Sequence, residues 1–347
     1  MDIKQTSSEN AEILVSDLIN LHCGDTLTEL NLALFEPYHD FFDSLNNPFK
    51  KVENLTLNGY VKTLDSPSLT FDQLFPVMKN LSFDIKANVL MISNIDHEFA
   101  NLKHLSLSVL LSYDFGPRMH DCLKTLIGKN PQIQSLTLVY SKRDLMKFIA
   151  ENLPKLEHLK LLWKYDYDEP NAYDIHFDHV KTLSVQYLEK VFGERETNAP
   201  RNLHFNNIEE LETESFNGRS ETWLDLVERS TKSKKLSIEK GALYDSTFVH
   251  LISIAPNLVE FSARVRNRLR DYKMVDFIRS HAQLEKVHWS RTIGFQESVE
   301  PLRREIGDQW TIETVGSQYI FLAKTLIFVL NKNVEINATE DIESRCN

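Results

Sequence analysis

The sequence predicts an α/β solenoid: a curved stack with parallel strands on its concave face and helices on its convex face. Three observations carry that expectation. A short apolar motif recurs at near-constant spacing through most of the 347 residues. Between recurrences the apolar residues change from a period near 2 to one near 3.6, as strands alternating with helices require. The composition, 42% hydrophobic and 26% charged, supplies apolar material for a long shared core and argues against disorder.

The motif is L-x-x-L-x-L. It reads LTELNL from Leu27, VENLTL from Val52, MKNLSF from Met78, LKHLSL from Leu102, IQSLTL from Ile133 and LEHLKL from Leu156. More worn copies follow as VKTLSV from Val180, IEELET from Ile208, SKKLSI from Ser233, LVEFSA from Leu258 and LEKVHW from Leu284. The central apolar residue runs from Leu30 to Val287, and its mean spacing of about 26 residues falls within the range of leucine-rich repeats. Ankyrin, tetratricopeptide and HEAT units are longer and are excluded on that ground.

Helical spacing fills the intervals. Asp144, Leu145, Met146, Phe148, Ile149 and Leu153 show it, and it recurs at Cys122 to Ile127, Trp223 to Val227, Phe248 to Ile254 and Met274 to Ile278. Pro131, Pro154 and Pro256 follow three of these stretches as stop signals. Two longer intervals, Leu105 to Leu136 and Leu183 to Leu211, are expected to be absorbed as longer loops. No single repeat buries both its strand leucines and its helix face, so neighbours must stack, and wider helices on one side curve the array. Strand side chains alternate, so the residues between the leucines are expected to face the concavity.

Both ends of such a stack need closing. Residues 1–26 are assigned as an N-terminal helical cap, with Ile13, Leu14, Leu18 and Leu21 at helical spacing between Asn10 and Leu21. Residues 27–290 form the solenoid of about eleven repeats, and residues 291–347 the C-terminal cap and tail. The stretch YIFLAKTLIFVL, Tyr319 to Leu330, is too short for a membrane span and carries Lys324 at its middle, so a buried terminal strand or helix is expected.

Composition also limits function. A formal charge of -11 argues against a nucleic-acid partner, which needs a clustered positive field. Cys23, Cys122 and Cys346 match neither a metal-ligand spacing nor a disulfide framework, and the polar first ten residues offer no signal-peptide core, so a cytoplasmic or nuclear protein is expected. On that expectation the acceptor patterns at Asn54, Asn80 and Asn337 are chance matches. No phosphate loop, nucleophile elbow or H-E-x-x-H is present, so neither catalysis nor a cofactor is expected. His176-Phe177-Asp178-His179 lacks a third and fourth ligand nearby and reads as a surface loop.

Joins such as NLPKLEHLKL (Asn152 to Leu161) and IAPNLVEFSA (Ile254 to Ala263) resemble the irregular leucine-rich-repeat regions of F-box proteins, over roughly Leu27 to Trp289. The resemblance implies that the repeats capture a substrate for a cullin-type ubiquitin ligase. The F-box that would dock such a protein to the ligase is not legible in residues 1–26, and the Asn or Cys that follows the strand of regular repeats is replaced, for example by Ser141 and Tyr60.

The expected function is therefore non-catalytic protein recognition by a chain that is monomeric on its own and touches no membrane. An extracellular or receptor-type ligand-binding repeat protein is the alternative. The binding surface is expected on the concave side of the later strands, at Glu210, Glu212, Glu214, Glu239 and Glu260, with Arg264 and Arg266 at its edge. Like charges two apart on one strand repel, which gives a partner with a basic segment a reason to bind there. A second surface is expected on the loop WKYDYDEPNAYD, through Trp163, Tyr165, Tyr167 and Tyr173.

Overall fold

The computed structural model describes residues 2–4, 26–38, 47–61, 69–84, 97–107, 117–140, 143–163, 174–186, 203–213, 216–217, 221–242, 245–265, 271–291, 304, 310–315 and 318–323. The chain is α/β and divides into two compact units, one comprising residues 1–186 and 195–204, the other residues 187–194 and 205–347. Each of the eleven motif copies is a strand, and every described pairing between motif strands is parallel.

In the first unit the motif strands are β2 (Glu29–Tyr38), β3 (Asn54–Val61), β4 (Asn80–Asp84), β5 (His104–Leu107), β6 (Ser135–Tyr140), β7 (His158–Trp163) and β9 (Thr182–Gln186), side by side in that order. A short strand β1 (Asp2–Lys4) pairs in parallel with β2. The residues of the expected N-terminal helix, 10–21, lie outside the described residues. In the second unit β11 (Glu210–Thr213), β13 (Lys235–Ala242), β14 (Glu260–Val265) and β15 (Lys286–Arg291) follow one another, and β12 (Phe216–Asn217) also pairs with β13. An antiparallel hairpin of β16 (Trp310–Val315) and β17 (Gln318–Ala323) then lies against β15 through β17. The first five residues of the apolar stretch from Tyr319 are thus strand.

Within each unit one hydrogen-bond arrangement recurs from one motif strand to the next. The carbonyl two residues ahead of the central leucine accepts two successive amides of the next copy, at 2.8–3.2 Å. Thr28 O takes Glu53 and Asn54, Glu53 O takes Lys79 and Asn80, and Lys79 O takes Lys103 and His104. The second unit does the same when Glu209 O takes Lys234 and Lys235. Within each unit every copy therefore starts in the same register as its neighbour, which fixes which side chains share a face.

Ahead of each entry is a turn whose first residue is buried whatever its type. Phe49, Phe75, Phe99, Asn130, Leu153, Ser230, Ala255 and His281 each accept a backbone bond from the residue three positions on, and all are at most 7% exposed. Phe49 stacks on its counterpart Phe75 with ring centroids 5.2 Å apart, and Phe99 meets Phe71 edge-on. Where the turn residue is polar, it is satisfied internally. The Asn130 side chain accepts the Phe99 amide at 2.8 Å and donates to the His97 and Leu126 carbonyls, both at 2.8 Å. The His281 ring lies against the Phe277 and Ala255 carbonyls at 2.8 and 3.0 Å.

The described helices are α1 (Phe71–Leu74), α2 (Pro117–Lys129), α3 (Arg143–Asn152), α4 (Glu221–Arg229), α5 (Asp245–Ile254) and α6 (Asp271–Ser280). The last five coincide with the five stretches of helical spacing, while α1 is a single turn with no long apolar period to announce it. Helix α2 packs on α3, α4 on α5 and α5 on α6, so helices neighbour one another in the order their strands do. Gly128 lets α2 and α3 approach, since a Cβ there would lie 3.3 Å from Phe148 Cζ. In the interval from Leu105 to Leu136 the helix expected at Cys122 to Ile127 is thirteen residues long. One expectation needs correction. The His176 segment is a short strand, β8 (Ile175–His176), paired in parallel with β10 (Leu203–His204).

Candidate functional site: the open face of the parallel strands

Alternation along each strand sends the two motif leucines into the core and leaves the residues before and between them on the open side. Leu55 and Leu57, Leu105 and Leu107, and Leu136 and Leu138 are at most 2% exposed, while Asn54, Thr56, Ser106, Ser135 and Thr137 are half-buried and His104 is exposed. The shared register turns these positions into two rows. In the first unit one row runs Asn54, Asn80, His104, Ser135, His158 and Thr182, and the other Thr56, Ser82, Ser106, Thr137, Lys160 and Ser184. Adjacent members are about 4.8 Å apart across the strands.

Small side chains leave a trough across β3 to β6, about 160 Å³, floored by Leu55, Leu81 and Leu105 and edged by Asn54, Asn80, His104, Ser135 and Thr137. The Asn80 amide donates to the Asn54 side-chain carbonyl, a bond that fixes both at its edge. Burial pushes the His104 imidazole below the usual histidine range, and the charges of His158 and Lys103 push the same way. At the strand entries Glu53 is tied to Lys79 at 2.7 Å and Glu157 to Lys181 at 2.8 Å. The Lys181 bond and charge hold the Glu157 carboxyl below its ordinary range.

The rows of the second unit differ in kind. The register reads Glu210, Lys235, Glu260, Lys286 in one row and Glu212, Ser237, Ser262, His288 in the other. Lys286 reaches Glu260 at 3.8 Å. Burial is the main reason that His288 lies below its usual range, with Lys286 and Lys235 acting in the same sense and Glu260 opposing.

Of the acids singled out from the sequence, Glu210 and Glu212 share the open side of β11, and Glu260 lies two motif strands on in the Glu210 row. Glu239 lies in β13 and Arg264 in β14, paired with Ser290, but their side chains lie outside the described residues. Glu214 and Arg266 also lie outside, as do Tyr165, Tyr167 and Tyr173 of the aromatic loop. Trp163 ends β7, paired with Tyr140. The sequence reading missed Lys235 and Lys286, which alternate with the glutamates, and the His104 to Lys160 region of the first rows. Both were available in the aligned motif copies, at the same two offsets as the glutamates.

Away from the rows, His176 stacks on His204 with centroids 4.6 Å apart, and His204 Nε2 lies 3.3 Å from Asp174. Among the described residues no group of three or more His, Cys, Asp or Glu is placed to hold a metal ion. Among them, too, no helix is long and apolar enough to cross a membrane. No protein-family model matches the chain, and no curated protein matches it.

Proposed function

We propose that the chain is a leucine-rich-repeat solenoid that works as a non-catalytic recognition module, binding a protein partner across the open face of its parallel strands. The supporting observation is the pair of side-chain rows: from β3 to β7 each motif strand holds two residues clear of the core at one fixed register, and the buried leucines on the other side do the folding. Strands that repeat one geometry make a wide, rigid platform whose chemistry varies freely from copy to copy. The recurring entry bonds and the buried turn residue favour the solenoid reading, because each copy relates to the next in the same way. Substrate capture for a cullin-type ubiquitin ligase, the role implied by the F-box resemblance, is the cellular setting we put forward.

A photo-crosslinking amino acid at Ser106, on the open face, is expected to capture discrete proteins from native extract, whereas one at Asp121, exposed on α2, captures none above background. Equal capture at both positions, or none at Ser106, rejects the reading. The solenoid itself is tested by small-angle scattering, with a radius of gyration above the roughly 20 Å of a compact globule of this length expected.

A further inference from the structure

We infer that the partner docks on the β3 to β7 part of the open face and presents there an extended segment rich in carboxylates. This deepens the recognition reading above and rests on it. The chain carries 50 acidic and 39 basic residues, yet among the described residues the two rows from β3 to β9 hold no carboxylate. What they hold is hydroxyls, amides, the imidazoles of His104 and His158, and the Lys160 ammonium. The bordering acids are Glu29, which continues the first row on β2 beside Asn54, Asp84, which ends β4 two residues after Ser82, and Glu53 and Glu157 at the strand entries, these last two bound by Lys79 and Lys181, while Lys103 adds another cation beside His104. In the second unit each glutamate of the Glu210 row has a lysine next to it, so that row is compensated in place.

Shape and range agree with this. The trough exists because Thr56, Ser82, Ser106 and Thr137 are short, and an extended backbone fits such a channel where bulky side chains would close it. The screening length is about 8 Å at physiological salt, so the chain's distant acids barely repel a segment held against the rows. His104 and His158 flank Ser135 on neighbouring strands, and a carboxylate seated over Ser135 faces both rings. A negative charge there favours the protonated form of His104, so binding takes up a proton. The charges that lower His104 in the free chain are those of His158 and Lys103, and the residues facing it on β4 and β6, Asn80 and Ser135, do not titrate.

The test is fluorescence anisotropy of the full chain with a fluorescein-labelled oligoglutamate peptide, with oligolysine of equal length as comparison. Oligoglutamate is expected to bind, about tenfold more tightly near pH 6 than near pH 8. Lys160→Glu is expected to weaken it by about tenfold or more, and Ser106→Trp to block it by filling the trough without altering charge. Both variants are checked for an unchanged melting temperature, and His104→Gln is expected to flatten the pH dependence. The inference is overturned if oligolysine binds and oligoglutamate does not, or if oligoglutamate binding ignores all of these substitutions. Crosslinking at Ser106 that persists when oligoglutamate fails removes this inference and leaves the recognition reading standing; loss of crosslinking removes the recognition reading itself.

Discussion

His104 and His288 show how a residue's place in the register sets its chemistry. Each is partly withdrawn from water with other cations near it, and each binds a proton less readily than a free imidazole. Well above the usual histidine range both rings are neutral in the folded and the unfolded chain, and they do not affect stability. As pH falls into that range, the unfolded chain takes up protons first, so stability is lost on acidification. Wild-type melting temperature is therefore expected to fall between about pH 7.5 and pH 5.5 more steeply than in a His104→Asn, His288→Asn variant, by less than about 2 °C because both rings are solvated. Parallel profiles would show that neither ring titrates differently on folding. Asn130 makes a sharper case, since it is fully buried and bonded to the backbone of the preceding copy. Asn130→Ala strands the Phe99 amide and is expected to cost more than about 2 kcal/mol in urea unfolding. Neither role was legible beforehand. The turn position is Phe in three copies and Asn, Leu, Ser, Ala or His in others, so no residue type marks it; its burial comes from the turn that precedes these strands.

At the scale of elements the sequence was more explicit. The leucine pattern located all eleven motif strands, because two apolar residues two apart, with a third just ahead, fit only a half-buried strand with one turn before it. Helices α2 to α6 were legible for a similar reason, as their apolar residues recur at 3.6. The short pieces were not legible: α1, β8 and β10 are too brief for any period to develop, and they exist because neighbouring segments hold them. The charged rows failed differently. Glu210 and Glu212 were read along one strand, where they repel, and not across strands, where Lys235 stands beside Glu210 and Lys286 beside Glu260. The hairpin β16–β17 leads to a prediction at this scale. It covers the edge of β15, whose unpaired amides would otherwise recruit another chain. Truncation after Arg291 is expected to give a protein that aggregates in sedimentation, and a monomeric, cooperatively melting product would contradict that role.

For the molecule as a whole, the two-amides-per-carbonyl entry bond matters most, because it is indifferent to which copy supplies the carbonyl. Deleting residues 79–102 joins Met78 to Lys103 and presents the Lys103 and His104 amides to Glu53 O, where Lys79 and Asn80 are now bonded. Lys103 then stands opposite the Glu53 carboxylate, in place of the lysine that was removed. Such a shortened chain is expected to fold with its melting temperature lowered by no more than about 10 °C, whereas a deletion of similar length displaced by half a period, which breaks the register, should not fold. Calorimetry of the two variants separates the cases. A joint that accepts any copy is also one at which a gene can gain or lose a period by misaligned recombination and still encode a foldable chain. The length of the platform, and the number of positions at which its chemistry can be rewritten, is thus open to change in single steps.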